Sequence, residues 1–429
     1  MGMLTVSIVF LILLFIGMPL AFTIGISASL FFAVDPYIPF SIAAQRMIGS
    51  LQNYPLLAVP FFVLAGNLMN ATGITDRLIK FSTILTGHLI GGLAHVNIVL
   101  SALMGGLSGS AVADAAMESR ILGPAMTKQG FDRAYTAAVT AMSSLITATI
   151  PPSIGFILYG YVGQVSIGRL FIAGIIPGVL MALALMITAY ITSKKKGYAP
   201  VRSRRFTLSE LRDSFLESIW ALIFPLLLIG GIRFGLFTPT EGGAFAVVYA
   251  AIIGMFIYKE LSWEKVKLAL SQSVVDIGVI LLIIACSGIF GYAIITDQVP
   301  QKVAILITSV TTNPTLLLFI IMAFLFVAGM LMEATVNTLL LTPIFLPIIR
   351  SIGIDPVHFG IVMMTIVTLG GMTPPVGAVV YTVCSLLDVS VEKYVIQSIP
   401  FLVAIVVLII IFALVPDIVL ILPRLIYGS

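Results

Sequence analysis

Long stretches of this chain, such as residues 1–34, 170–191 and 398–415, run without a single charge over membrane-scale lengths. A helix needs roughly 20 mostly apolar residues to cross a hydrocarbon core of about 30 Å, so these runs dictate the solvent before any motif is considered. Soluble domains carry about a quarter charged residues; here 9% are charged and 60% apolar. Lipid must surround most of the chain. The runs are apolar on every face, whereas barrel strands alternate over about ten residues, so the expected fold is an all-α polytopic membrane protein. The first run lacks a basic leading region and outlasts a signal peptide, and is read as retained. Within it Gly17, Met18 and Pro19 either kink one helix or separate two.

Positive charge gathers in one loop, expected over 193–213: Lys194, Lys195, Lys196, Arg202, Arg204, Arg205 and Arg212. Basic loops stay cytoplasmic, which anchors the topology. No folded basic domain accompanies the run, so it does not point to nucleic acid. Cys286 and Cys384 lie in apolar segments with no paired spacing. His88, His95 and His358 are scattered without carboxylate companions and read as helix-end or packing residues.

Sliding the sequence against itself reveals a repeat at a displacement of 223 residues. Pro124 falls on Pro347, Gly130 on Gly353, Asp132 on Asp355, Pro151-Pro152 on Pro374-Pro375, and Asp114 on Asn337. Counting outward from the basic loop, 167–192 comes in, 131–165 goes out, 215–235 goes out, 240–258 returns and 273–295 goes out. Gly130 then lies inside and Gly353 outside, so the copies are inverted. About fifteen of the 22 Lys and Arg residues fall inside, while Arg46, Arg169, Arg233, Lys302, Arg350 and Arg424 fall outside. Inverted repeats are the architecture of alternating-access carriers. The halves are expected at 1–192 and 214–429.

Each half holds an apolar stretch broken in its middle: 90–127 at 105–110, and 314–350 at 332–337. Arms of about 15 residues, or about 22 Å of helix, are short for a span. They read as re-entrant hairpins whose tips must be shielded from lipid, or else as single kinked spans. A helix interrupted by a double proline follows each, over 131–165 and 357–388. Two prolines remove two donors and bias the preceding residue away from helix, freeing carbonyls upstream. Those oxygens, with the hydroxyls of Thr147 and Thr149 in one half and Thr373 in the other, suit a small hard cation. The half-helix N-termini suit an anion. A plain hinge is the alternative. Among the few charges at membrane depth, Asp114 and Glu118 share a helix face, Arg120 lies near them, and Glu333 occupies the second tip. Glu241 and Asp276 read as helix-end groups. The segments 76–88 and 261–271 are amphipathic and are expected to lie in the interface.

At these residues the sequence resembles the large M subunit of TRAP (tripartite ATP-independent periplasmic) transporters over essentially its whole length. The likeness rests on 61–66, Gly91-Gly92 with His95-Val96-Asn97, 104–114, Pro151-Pro152-Ser153-Ile154, 170–177, Pro239-Thr240-Glu241 and Met372-Thr373-Pro374-Pro375. It implies an inner-membrane, elevator-type carrier in which both hairpins and both broken helices move against a scaffold. It also implies Na⁺ coupling, a small four-helix Q subunit and a periplasmic binding protein that delivers an organic acid, sialic acid or a C4-dicarboxylate. Carried over by motif, Ser108 and Ser110 with Thr147, Thr149, Met332, Gly370, Gly371 and Thr373 would serve Na⁺. Ser110, Ser153, Glu333 and Asn337 would serve the substrate. Glu333 stands where the family pattern has Asp, and Thr147 where it has Gly. A stand-alone Na⁺- or H⁺-coupled dicarboxylate or citrate carrier shares the hairpin logic. An enzyme would need a catalytic constellation and a channel a symmetric filter or charged ring, and the sequence offers neither. ATP drive would need a GxxxxGK[ST] loop, which is absent.

Overall fold

The computed structural model describes residues 2–34, 38–311 and 313–428, and among them every regular element is helical. Eight helices are long and apolar enough to span a membrane, and the bent pair Arg133–Thr149 and Ile154–Gly163 makes a ninth candidate. The N-terminal run is two helices, Gly2–Phe15 and Leu20–Val34. Gly17 turns the chain at φ +84°, and Pro19 has no N–H with which to continue a helix.

The repeat governs the rest, because its signature residues are ones that fix backbone geometry. Ala111–Lys128 recurs as Ala334–Ser351, each begun by an extended residue whose side chain accepts a backbone N–H, Ser110 and Glu333. Gly130 and Gly353 then turn at φ +89° and +78°. Asp132 and Asp355 cap the next helices, accepting from Ala134 N at 2.9 Å and Val357 N at 2.7 Å. Both of those helices break at their prolines: Arg133–Thr149 gives way to Ile154–Gly163, and Pro356–Gly370 to Ala378–Leu387. Ile167–Lys196 and Val391–Leu414 follow. Even lateral contacts recur: Tyr135 Oη reaches Ala189 O at 3.5 Å, while His358 Nε2 reaches Phe412 O at 2.7 Å, each position 223 residues on. His358 is thus a packing residue.

The copies also exchange partners, as a two-fold axis requires. Ala334–Ser351 packs on Ile154–Gly163, and its counterpart Ala111–Lys128 packs on Ala378–Leu387. Ala58–Ala71 packs on Pro239–Ile252, and their counterparts Trp263–Thr296 and Leu20–Val34 pack on each other. Between Ala58–Ala71 and Trp263–Thr296 lie the first broken helix, Ile167–Lys196, Leu208–Arg233 and Pro239–Ile252. Four crossings make the two directions opposite, and hairpin arms, coming in pairs, leave that parity unchanged.

Four expectations change. The segment 261–271 is no separate interfacial arm; it opens the single 34-residue helix Trp263–Thr296. At 1.5 Å per residue that helix is about 50 Å long, so its charged first turns project beyond the hydrocarbon. Asp276 lies inside this helix and accepts from Asn67 Nδ2 at 3.1 Å, joining two helices rather than ending one. Glu241, by contrast, forms a reciprocal capping box with Thr238. Three of the four hairpin arms have 18 residues, not about 15. The second break is confined to Met332 and Glu333, because Glu333 restarts the helix at Ala334 and leaves Asn337 in its first turn.

Candidate functional site

The first hairpin, Gly92–Gly105 and Ala111–Lys128, enters and leaves on one face. At its start Gly91 N donates to Tyr198 O at 3.2 Å. At its end Gln129 Nε2 donates to Pro200 O at 3.2 Å, and Phe131 stacks on Tyr198 at 4.2 Å. Tyr198 and Pro200 belong to the basic loop, which removes the kinked-span alternative for this segment. The second hairpin, Pro314–Leu331 and Ala334–Ser351, ends at the opposite face. There Arg350 Nη2 donates to Gly163 O at 2.8 Å, the far end of the helix pair that begins beside Tyr198.

Each tip sits on the proline break of its own half. At Gly109 (φ +63°) a Cβ would lie 2.2 Å from Pro152 O and 3.1 Å from Ser153 Cα. In the second half Val376 N donates to Met330 O at 3.2 Å. A Cβ on Gly370 would lie 2.6 Å from the Gly329 carbonyl carbon and from Phe326 O. The second half reaches the first break through Met364 of Pro356–Gly370: its Sδ accepts from Thr338 Oγ1 on the second hairpin at 3.0 Å, and its methyl fills the space beside Gly155.

Three hydroxyls around the tips share one property. Ser153 Oγ donates to Ala148 O at 2.6 Å, Thr149 Oγ1 to Leu145 O at 2.9 Å, and Thr373 Oγ1 to Gly370 O at 2.7 Å. A hydroxyl has one proton and two lone pairs, so each of these keeps only lone pairs for a ligand. Oxygens so placed can accept from a donor or coordinate a cation. Ser110 accepts from Ala113 N at 3.4 Å, while Ser108 Oγ is buried and has no partner among the described residues. In the second tip Glu333 accepts from Thr335 N at 2.7 Å and Thr335 Oγ1 at 3.1 Å. Asn337 Nδ2 donates to Met332 O at 2.7 Å and also faces Ala328 O and Glu333 O, each at 3.3 Å. The amide thus ties up carbonyls that the first arm's end leaves free, and its buried Oδ1 is unpartnered among the described residues. Gly371 begins the second break and accepts from Val379 N at 3.2 Å.

One constellation was hardly legible beforehand. Thr147 Oγ1 lies 2.7 Å from Asp114 Oδ2 and 2.8 Å from Ser101 O. Glu118 accepts from Ser101 Oγ at 2.9 Å, and Ser143 Oγ lies 3.5 Å from its second oxygen. Ser143 reaches Asn97 Oδ1 at 2.7 Å, and Asn97 Nδ2 donates to Thr140 Oγ1 at 3.1 Å. Both carboxylates are buried, and Asp114 Oδ1 has no partner among the described residues. Arg120, three turns from the tip, is exposed and outside this network. The shared face of Asp114 and Glu118 was visible in the sequence. Their partners Ser101 and Ser143 come from two other helices, which spacing alone does not bring together.

The fold has a solved counterpart, the YdaH transporter of Alcanivorax borkumensis, with a TM-score of 0.61 over 95% of this chain and 97% of that one. At 12% identity the likeness concerns the fold alone. Two relatives are closer in sequence. The sialic acid TRAP transporter permease protein SiaT of Haemophilus influenzae is 38% identical over 97% of this chain and 68% of its own length. The sialic acid TRAP transporter large permease protein SiaM of Vibrio cholerae is 37% identical over 97% of both. The family model for the DctM component of tripartite ATP-independent periplasmic transporters matches residues 7–418, and the chain, with its paired hairpins and proline breaks, belongs to that family of transporter large permeases.

Proposed function

We propose that this chain is the large inner-membrane subunit of a Na⁺-coupled uptake system for an organic acid. Both hairpins and both broken helices form a unit that moves, elevator-fashion, past a scaffold of the remaining helices. The observation that carries this reading is the seating of two oppositely entering tips on the proline breaks of their own halves, with Met364 of the second broken helix packed beside the first break. Na⁺ suits the donor set: Thr147, Thr149 and Ser108 beside the first tip, and Thr373 with the backbone of Met332, Gly370 and Gly371 beside the second. Ser110 lies between ion and substrate. Ser153, Glu333 and Asn337 bound the space for the acid, whose carboxylate would be met by the N-terminal ends of Ala111–Lys128 and Ala334–Ser351. The acid reaches the site from a periplasmic binding protein, and a small four-helix membrane subunit completes the complex. Sialic acid is the favoured substrate, since SiaT and SiaM are named for it, and C4-dicarboxylates are the second choice.

Uptake by proteoliposomes carrying the chain with its small subunit tests the proposal. Labelled sialic acid should accumulate only with an inward Na⁺ gradient and an added binding protein, and succinate should be the weaker substrate. Uptake without the binding protein, or unchanged when K⁺ replaces Na⁺, overturns it. Two variants check the site. Ser110→Ala removes a cap costing about 1 kcal/mol, so the complex should assemble while Na⁺-dependent uptake drops on the order of tenfold. Equal losses of assembly and uptake would make Ser110 structural. Glu333→Gln keeps one oxygen for the Thr335 N–H and should alter substrate KM with little change in thermal stability; wild-type kinetics would remove Glu333 from the site.

A further inference from the structure

We propose that Arg169, Arg233 and Tyr427 form a headgroup site for an anionic phospholipid of the outer leaflet, one of whose chains covers the crevice between Ile167–Lys196 and Leu208–Arg233. Both spans run between the basic loop and the opposite face. Arg169, in the first turn of one, and Arg233, the last residue of the other, therefore stand outside. Basic residues are sparse at that face, so two brought to one spot call for a reason.

The last helix, Pro416–Tyr427, brings them together. It packs on Ile167–Lys196 and buries Val419, Leu420 and Pro423, while Ile421 and Leu425 stay exposed. A helix apolar on its outer side as well beds into the lipid boundary. Tyr427 ends its buried face, and the ring holds both guanidinium groups, Arg233 Cζ at 5.2 Å from the ring centre and Arg169 Cζ at 5.9 Å. The ring offsets part of this charge. No carboxylate does: neither arginine has an acidic partner among the described residues. Arg424 takes Asp417 of its own helix, and Glu241, the acid nearest Arg233 in sequence, is engaged in capping Thr238. The Tyr427 hydroxyl lies over Gly168 and is also without a hydrogen-bond partner among the described residues.

Beside these polar groups the surface turns apolar at once. Tyr427 borders a narrow crevice walled by Gly168, Phe171, Ile172, Ile229 and Ile232, and Phe234 and Leu236, just past Arg233, are exposed. Two cations and a free hydroxyl set at the edge of an apolar crevice complement an amphiphile. A phosphodiester takes paired, charge-assisted hydrogen bonds from guanidinium groups, and a hydrocarbon chain covers the groove between the two spans. A free anion would use only the polar half of the site. The inference goes beyond the transport reading and does not depend on it, because none of these residues belongs to the hairpin tips or the proline breaks.

Native mass spectrometry of the delipidated full chain, purified in detergent with its small subunit, tests the site with dioleoyl phosphatidylglycerol and dioleoyl phosphatidylcholine as probes. The anionic lipid should bind several-fold more tightly. A basic residue at the surface is worth about 1 kcal/mol towards anionic lipid, so Arg169→Gln/Arg233→Gln should weaken phosphatidylglycerol on the order of 30-fold and leave phosphatidylcholine unchanged. Arg46→Gln is the control: Arg46 is also an outer arginine over a tyrosine, Tyr292 at 4.7 Å, and its loss should change neither lipid. Equal binding of the two lipids by the unmutated chain overturns the proposal, as does an equal effect of Arg46→Gln, which would make the preference one of general charge. Displacement of phosphatidylglycerol by inorganic phosphate at matched concentration would mean an anion site without a chain, and also overturns it. If the double variant does not fold, phosphatidylglycerol with a photoreactive diazirine in one chain serves on the unmutated protein. Crosslinks are expected within 168–172 or 229–234, and crosslinks found only elsewhere sink the site.

Discussion

Gly109→Asn should abolish Na⁺-dependent uptake, while Gly130→Asn should leave most of it. Both glycines adopt left-handed backbone, φ +63° and +89°, and Asn is the residue that best tolerates that region. Conformational strain alone therefore treats the two alike, at about 1 kcal/mol. What differs is the surroundings. Around Gly130 a Cβ meets nothing within 4 Å, whereas at Gly109 it would lie 2.2 Å from the carbonyl oxygen of Pro152. That neighbour is backbone at the proline break and has no flexible end to withdraw. The first tip must lift off the break by about an ångström, enough to cost on the order of 100-fold in a site built on positioning. The check is initial uptake in proteoliposomes beside the thermal stability of the purified complex. Equal uptake by the two variants would mean that the contact between Gly109 and Pro152 plays no part in transport.

The repeat was readable because its conserved pattern consists of residues that dictate backbone: a glycine at positive φ, an aspartate that caps, a pair of prolines. Their consequences are local, so a displacement in sequence became a displacement in structure, down to matched helix ends at Ala111–Lys128 and Ala334–Ser351. The reading of 261–271 failed for the opposite reason. Its amphipathic pattern is the same whether a helix lies flat or projects from the membrane, and no proline interrupts the helix before Thr296, while Gly278, Gly288 and Gly291 are carried within it. The counterpart stretch in the first half is interrupted after Ser41–Leu51, with Pro55 inside the short helical turn Tyr54–Leu57 that follows. The second tip was overdrawn because polar residues at 333, 335 and 337 look like a loop. Glu333 instead caps a new helix, and Asn337 uses its amide inside the first turn.

The same contrast explains why candidate ligands were easier to name than the network behind them. Ser153, Thr149 and Thr373 sit beside prolines and take their protons to carbonyls within five residues, a local event. The contacts of Asp114 with Thr147 and of Glu118 with Ser101 and Ser143 join residues on three helices. Only packing brings those groups together, and the packing is made by apolar residues whose sequence carries no mark of the pairing.

Asp114→Asn should raise the Na⁺ concentration for half-maximal uptake on the order of 100-fold, while Glu118→Gln should change it little. Thr147 has one hydroxyl proton and two oxygen neighbours, Asp114 Oδ2 at 2.7 Å and Ser101 O at 2.8 Å. If it donates to Ser101 O, a cation or a proton on the carboxyl must join Asp114 to Thr147. Asp114 Oδ1 is a further buried acceptor without a partner among the described residues. Four residues along the helix, Glu118 is better supplied, with Ser101 Oγ at 2.9 Å on one oxygen, and an amide there loses no required donor. A carboxylate that balances a buried cation is worth about 3 kcal/mol when deleted, or about a hundredfold in affinity. A carboxyl that merely carries a proton is different, because an amide of the same shape also offers one lone-pair oxygen and one donor. Uptake measured against Na⁺ in the two variants separates these chemistries. If Asp114→Asn transports with the wild-type Na⁺ dependence, the pocket at Thr147 holds a proton, and the coupling ion is bound without Asp114.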